Sequence, residues 1–228
     1  MEKIGLIKKS AQISNSCLPL IKDLLKRGIT EEQLAKEIKK KILSKGAKLA
    51  FPILVASGDR ASKIHAKPTK KEIFGLGYVD FGASYKGYKT DLTVPFVKGE
   101  ITKQQQKILE ATLQAYEIAK KEIKVNKSCW KVYERVNDFL KNKGFEMKHS
   151  LGHGVGFRIH QFPIIGKPMK ASKQKIEKLK RLRFRERMVF TIEPGVYVKG
   201  VGGCRIENTF LLTKNKLIQL TQSSLIKI

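Results

Sequence analysis

The chain has only three cysteines in 228 residues. Cys17, Cys129 and Cys204 are widely spaced and odd in number. That pattern excludes a disulfide framework or a thiolate zinc cluster and leaves buried free thiols. No apolar run approaches the roughly 20 residues of a membrane-spanning helix. The N-terminal stretch MEKIGLIKKSAQIS lacks the apolar core of a secretory signal and reads as helix. The expected location is therefore the cytoplasm, with no membrane partner. Low-complexity tracts are absent, and an apolar share of 41% is enough for a proper core.

Acids are scarce as well: 20 Asp and Glu stand against 47 Lys and Arg, for a net charge of +27. The densest basic run is Lys167 to Arg187. A surface of this sign suits association with RNA or the ribosome, or else consists of solvated lysine-rich faces. No aromatic-interleaved basic motif decides between them.

With so few acids, their placement carries information. Gly75 to Val97 reads as a β-hairpin with Asp80 on one arm and Asp91 on the other, eleven residues apart. A turn centred on Tyr85 and Lys86 sets the two acids directly opposite, where like charges repel unless a cation lies between them. Alternatively, both are solvated acids on an exposed hairpin. The device recurs in VFTIEPGVYVKGVGGCRIENTFLL. This second hairpin, turning at Gly200 to Gly203, sets Glu193 opposite Glu207. Between the hairpins lies His153, flanked by glycines in Gly152 to Gly156. Two Asp, two Glu and one His form an oxygen-rich donor set suited to Mn, Fe, Co or Zn. Five such ligands suggest two metals.

The remaining chain repeats one pattern. A helix is expected over Lys3 to Arg27. A second starts at the capping box Thr30 to Gln33 and stops at Gly46. A buried strand, Phe51 to Ser57, and a polar loop carrying His65 lead into the first hairpin. A second capping box, Thr102 to Gln105, opens a long helix. A further helix from about Cys129 stops at Gly144, and a Gly/His-rich strand, a basic segment and the second hairpin follow. The class is α+β. Two pseudo-symmetric halves, about 1–100 and 101–228, share one curved antiparallel sheet with helices on one face.

The segments VDFGASYKGYKTDLT, HSLGHGVGFRIHQFP, FTIEPGVY and CRIENT resemble those of the "pita-bread" metallopeptidases of family M24. The chain is more similar to the Xaa-Pro aminopeptidases and prolidases than to the methionine aminopeptidases. The resemblance covers nearly the whole chain and implies one catalytic domain over 1–228. It implies two divalent metal ions (Mn, Co, Fe or Zn) on Asp80, Asp91, His153, Glu193 and Glu207, activating a water for attack on the scissile carbonyl. It further implies that Glu193 shuttles a proton to the leaving amine, and that His65 and His160 contact the substrate carbonyl. His149 and Arg205 are expected behind the ligands, Arg205 orienting Glu207 or pairing with a neighbouring acid.

The expected substrates are peptides with a free N-terminus. Cleavage before proline is favoured over methionine removal from nascent chains, and a catalytically inactive basic binding module is the remaining alternative. The family's Xaa-Pro members usually carry an N-terminal domain. Here Met1 is expected to open the catalytic domain directly, which leaves a monomer or weak dimer. Three positions depart from the Xaa-Pro pattern: Val94 follows Thr93 where Arg is usual, Gln161 follows His160 where Glu is usual, and Asn208 follows Glu207 where Asp is common.

Overall fold

A computed structural model describes residues 2–228; Met1 lies outside the described residues. The first half runs α1 (Glu2–Asn15), α2 (Leu18–Leu25), α3 (Glu31–Ser44), β1 (Lys48–Leu49), β2 (Leu54–Ser57), a 3-10 turn (Gly58–Ser62), β3 (Gly75–Phe81), β4 (Ala83–Tyr85), β5 (Tyr88–Lys89) and β6 (Leu92–Lys98). The second runs α4 (Lys103–Glu122), α5 (Cys129–Asn142), β7 (Gly152–Gly154), β8 (Gln161–Ile165), α6 (Lys173–Lys180), β9 (Val189–Ile192), β10 (Gly195–Val198), β11 (Gly202–Arg205), β12 (Asn208–Leu212), β13 (Leu217–Gln219) and β14 (Ile226–Lys227).

The single helix expected over Lys3 to Arg27 is two. Pro19 stands in the first turn of α2. It has no N–H to donate, and its ring would clash with the carbonyl of residue 15 in a continuous helix. Both capping boxes form. The Thr30 hydroxyl accepts from the Gln33 amide and Gln33 Oε1 accepts from the Thr30 amide, and Thr102 and Gln105 do the same. Gly46 (φ 71°) and Gly144 (φ 80°) end α3 and α5 in the left-handed conformation that glycine adopts without strain.

Hydrogen bonding divides the sheet into ladders. The order β14-β6-β3-β2 builds the first half and β13-β12-β9-β7-β8 the second, with small ladders β1-β4-β5 and β10-β11 at the hairpins. Each half has its own core on the helical side. Ile21, Leu25, Leu34, Ile38 and Ile42 pack against Val55, Val79, Phe81 and Phe96. Ile108, Ala115, Val132, Val136 and Leu140 pack against Leu151, Phe190, Ile192 and Phe210. At about 1.5–3 kcal/mol for each large apolar side chain removed from water, these layers dominate the stabilisation.

Backbone pairing helps to stitch the halves together. Thr93 and Glu207 form an isolated antiparallel bridge. Strand β14 crosses from the second half to pair in parallel with β6, Ile226 beside Phe96. The three cysteines are buried and free. Among the described residues no helix is long and apolar enough to cross a membrane.

Candidate metal centre

The strands set the acids at the seam. Asp80 on β3 pairs across to Thr93, not to Asp91. The sequence placed the turn at Tyr85 and Lys86, but Tyr85 pairs with Tyr88 and the two turn residues are Lys86 (φ 49°) and Gly87 (φ 84°). Two consecutive positive φ values make the tight hairpin turn that matches strand twist, and glycine is favoured there. The register therefore moves by two residues, and Asp91 lies diagonal to Asp80. Gly82 permits this crowding, since a Cβ there would sit 1.9 Å from the Thr90 carbonyl oxygen.

In the second hairpin Ile192 pairs with Asn208 and Gly195 with Arg205. The register is the same on both sides, so Glu193 faces Glu207. The turn lies between Val198 and Gly202; Gly202 and Gly203 are strand residues of β11 rather than turn residues.

His153 on β7 points into this cluster. Its Nδ1 lies 3.1 Å from the Gly154 carbonyl oxygen, which can only accept, so Nδ1 carries the proton. Nε2 of the neutral ring then presents a lone pair. It lies 3.5 Å from Glu193 Oε1 and 3.6 Å from Asp91 Oδ2. Burial, and then the neighbouring His160, push the His153 pKa down to about 3, so the ring is neutral. A lone pair facing two carboxylates is repulsive unless a cation lies between them.

The carboxylates report the same strain. Burial and the charge of Glu207 raise Asp91 and Glu193 well above the usual carboxylate range. Burial and Asp80 push Glu207 up to about 8. Asp80 Oδ1, Asp91 Oδ1 and Glu207 Oε1 are buried without a hydrogen-bond partner among the described residues. Buried polar oxygens are rarely left so. Asp91, His153 and Glu207 each offer a ligand atom within 4.8 Å of the others. Asp80 and Glu193 flank this tightest group. The donor chemistry fits divalent metal ions.

Behind the ligands, Arg205 compensates one negative charge. Its Nη2 donates to Asp80 Oδ2, its Nε to Thr93 Oγ1 (2.9 Å) and its Nη1 to the Tyr197 hydroxyl (2.7 Å). Of the two roles expected for Arg205, pairing with an acid is the one adopted. It reaches Glu207 only through Thr93, whose hydroxyl donates to Glu207 Oε2 at 2.7 Å. Tyr197, occupied as an acceptor by Arg205, donates in turn to His149 Nε2 (3.1 Å). His149 Nδ1 contacts the Ser150 carbonyl at 2.8 Å and lies 3.7 Å from Glu193 Oε2. Burial and Arg205 lower the His149 pKa to about 4.

His160 packs edge-on against His153, ring centroids 4.3 Å apart. Burial, followed by His65, lowers its pKa; burial, followed by Arg205, lowers that of His65. Both histidines line, with the five candidate ligands, a cavity of about 570 Å³. Phe51, Ile64, Phe162, Ile164, Pro168 and Met169 form much of its apolar wall. The loop that carries His65 is tied down by Glu31, which has no solvent exposure. Glu31 accepts from the Ser57 amide, the Thr69 amide, the Thr69 hydroxyl and Arg60 Nε.

Glu31, Thr93 and Tyr197 escaped the sequence reading. Glu31 looked like an ordinary first-turn acid of a capped helix. Thr93 and Tyr197 had a signal, since each stands at an even spacing from a hairpin acid and so faces the same side.

Of the three departures, Asn208 is fully satisfied. Its amide donates to the Tyr116 hydroxyl (2.7 Å) and the Ser223 carbonyl (3.1 Å), and its oxygen accepts from Thr221 Oγ1 and the Ser223 amide. Val94 is buried in the first-half core. Gln161 opens β8 and accepts from the Arg158 amide at 3.4 Å.

Comparison with known proteins gives consistent results. The model of metallopeptidase family M24 matches residues 5–214. An uncharacterized peptidase of Methanocaldococcus jannaschii is 34% identical over 227 residues, 98% of this chain and 63% of that protein. An Xaa-Pro dipeptidase of Pyrococcus furiosus is 31% identical over 97% of this chain and 62% of its own length. The chain thus spans about three fifths of the curated relatives it matches. Among solved structures, the prolidase from Pyrococcus horikoshii OT3 superposes with a TM-score of 0.88 at 31% identity, covering 98% of this chain and 62% of that one. The X-Pro aminopeptidase from Thermotoga maritima MSB8 gives 0.88 at 29% identity, with 100% and 63% covered. On its fold, its hairpin acids and these matches, the chain belongs to metallopeptidase family M24.

Proposed function

We propose that residues 1–228 form one catalytic domain of a dinuclear metal-dependent aminopeptidase that hydrolyses the N-terminal peptide bond before proline. The observation that carries the reading is the set of three buried, partnerless carboxylate oxygens gathered at the seam beside the His153 Nε2 lone pair. Asp80, Asp91, His153, Glu193 and Glu207 are the metal ligands. Divalent ions bound among them (Mn, Co, Fe or Zn) supply the positive charge that lets the four carboxylates ionise together, and lower the pKa of a water.

The chain's own groups do the rest. Glu193, whose proton affinity is raised by burial, takes a proton from the attacking water and returns it to the leaving amine. His65 and His160, whose pKa values burial lowers in favour of the neutral ring, donate N–H to the substrate carbonyl as negative charge develops there. The apolar wall accepts the proline ring. The Xaa-Pro dipeptidase relatives support proline as the residue after the cleaved bond.

The test is hydrolysis of Met-Ala-Ser, Ala-Pro, Met-Pro and Ala-Pro-Ala-Lys by protein loaded with Mn, Co or Fe, with Asp91→Ala as control. Cleavage before proline, lost in the control, is expected. Release of methionine from Met-Ala-Ser alone moves the chain to the methionine branch. The +27 charge supports an added contact with RNA or the ribosome. That contact predicts RNA binding that weakens steeply with salt; no binding at low salt removes it.

A further inference from the structure

A second cavity, of about 250 Å³, lies beside the catalytic one and shares Pro168 and Met169 with it. It plays no part in the proposed peptide hydrolysis. Helix α5 supplies Tyr133, Asn137 and Lys141 to its lining. These follow one another at four-residue spacing and so lie in a row along one face of the helix. The segment after β8 closes over them. Gly166 (φ 95°) passes the Tyr133 ring so closely that a Cβ there would sit 2.2 Å from it.

Two of the lining side chains are more than nine-tenths buried, and each has a donor to spare. Tyr133 and Asn137 are each 7% exposed. Asn137 Oδ1 accepts from the Met147 amide at 3.1 Å, which fixes the orientation of the side-chain amide. Its Nδ2 has no acceptor among the described residues, and neither has the Tyr133 hydroxyl. The side-chain atoms that are both sealed from solvent and partnerless belong to Asp80, Asp91 and Glu207 among the described residues, so these two donors open onto the cavity they line. Burial, followed by Glu146 and Glu134, raises the Tyr133 pKa, so the phenol keeps its proton to donate. The charge around them has one sign in excess. Lys141, Lys148 and Lys167 line the cavity against a single carboxylate, Glu146, a surplus of two positive charges.

We propose that this cavity binds a phosphate group, as a free ion or as the end of a phosphomonoester. The Tyr133 hydroxyl and Asn137 Nδ2 donate to its oxygens, and the lysines balance its charge. A phosphate dianion matches the surplus, and hydrogen bonds to a charged acceptor are about twice as strong as those to a neutral one. The volume is below the roughly 300–1,000 Å³ of sites for drug-sized ligands and suits a small anion. The shared Pro168 and Met169 place that anion one wall away from the catalytic cavity.

The single tryptophan, Trp130, reports on the site: its ring lies 5.6 Å from that of Tyr133 and does not line the catalytic cavity. Metal-loaded protein is titrated with inorganic phosphate, adenosine monophosphate, adenosine and acetate at constant ionic strength, followed by Trp130 emission and by calorimetry. Phosphate is expected to give a saturable signal. Tyr133→Phe, which removes a hydroxyl without a partner in the fold, raises the Kd about tenfold, the size of one hydrogen bond to a charged group. Asn137→Asp keeps the acceptor for Met147 but turns the donor into a repelling oxygen, and abolishes binding. Phosphate held by the metals instead is insensitive to both substitutions. Tighter binding of adenosine monophosphate, with adenosine silent, makes a phosphomonoester the source; binding of inorganic phosphate alone makes it the free ion. No saturable binding of either, acetate bound as tightly as phosphate, or a Kd unchanged in Tyr133→Phe overturns the proposal. None of these readouts needs turnover, so the outcome is independent of the peptidase reading.

Discussion

Thr93 and Glu207 hold each other by three hydrogen bonds. The Thr93 amide donates to the Glu207 carbonyl (3.2 Å), the Glu207 amide donates to the Thr93 carbonyl (3.1 Å), and the Thr93 hydroxyl donates to Glu207 Oε2 (2.7 Å). One residue comes from each half, so the same contact joins the halves and aims a ligand. Thr93→Val keeps the backbone pair but removes the hydroxyl. It is expected to weaken metal binding about 10–100-fold, the usual cost of removing a group that orients a ligand. Thr93→Ser should stay within a few-fold of wild type. Titration of metal against a competing chelator measures both.

A second prediction concerns pH. In metal-free protein the folded Glu207 keeps its proton up to about pH 8, whereas an ordinary glutamic acid releases it near 4.5. The folded state therefore binds this proton more tightly than the unfolded one. The stabilisation is fully present below 4.5 and is lost as pH rises through about 8. The melting temperature of metal-stripped protein should fall over that upper range, and Glu207→Gln should flatten the fall. Saturating Mn should suppress it in wild type, because the cation takes over the role of the protons. A profile that is equally steep in Glu207→Gln would show that Glu207 is not the source.

Glu31 gives a third. It is the acceptor for four donors on the segment leading to and from His65. Glu31→Ala leaves those donors unpaired, the Ser57 amide in a buried place and the Thr69 and Arg60 groups in partly buried ones. The expected cost is about 3 kcal/mol, read from urea unfolding. Turnover should fall by more than the loss of folded protein explains, since the His65 loop is no longer tied.

Asn208→Asp supplies the fourth. An aspartate cannot donate to Tyr116 or to the Ser223 carbonyl, and it sets a charge against that carbonyl. Destabilisation of about 2–3 kcal/mol is expected, again from urea unfolding. Asn208→Asp as stable as wild type would mean that the C-terminal segment rearranges around it.

Much of this was legible from local rules. The capping boxes at Thr30 and Thr102 and the glycine stops at Gly46 and Gly144 need only neighbouring residues. The hairpin symmetry of Glu193 and Glu207 follows from one turn. The β4–β5 turn was harder, because a shift of two residues keeps every side chain on its face and leaves no trace in the apolar pattern. The break before Pro19 was masked by apolar spacing that continues across it. Glu31, Thr93 and the partners of Arg205 depend on contacts between segments remote in sequence, such as Arg205 with Asp80, 125 residues apart. No periodicity encodes those.

The crossing of β14 onto β6 has a consequence for how the protein is made. Phe96 and its partner Ile226 lie 130 residues apart in the chain. At about 5–20 residues per second, several seconds to half a minute of synthesis separate them. Throughout that interval the outer edge of β6 offers unpaired backbone groups, the kind of edge at which other strands attach. The nascent chain is therefore most exposed to aggregation after its first half has folded and before β14 arrives, and a chaperone that shields β6 would act in that window.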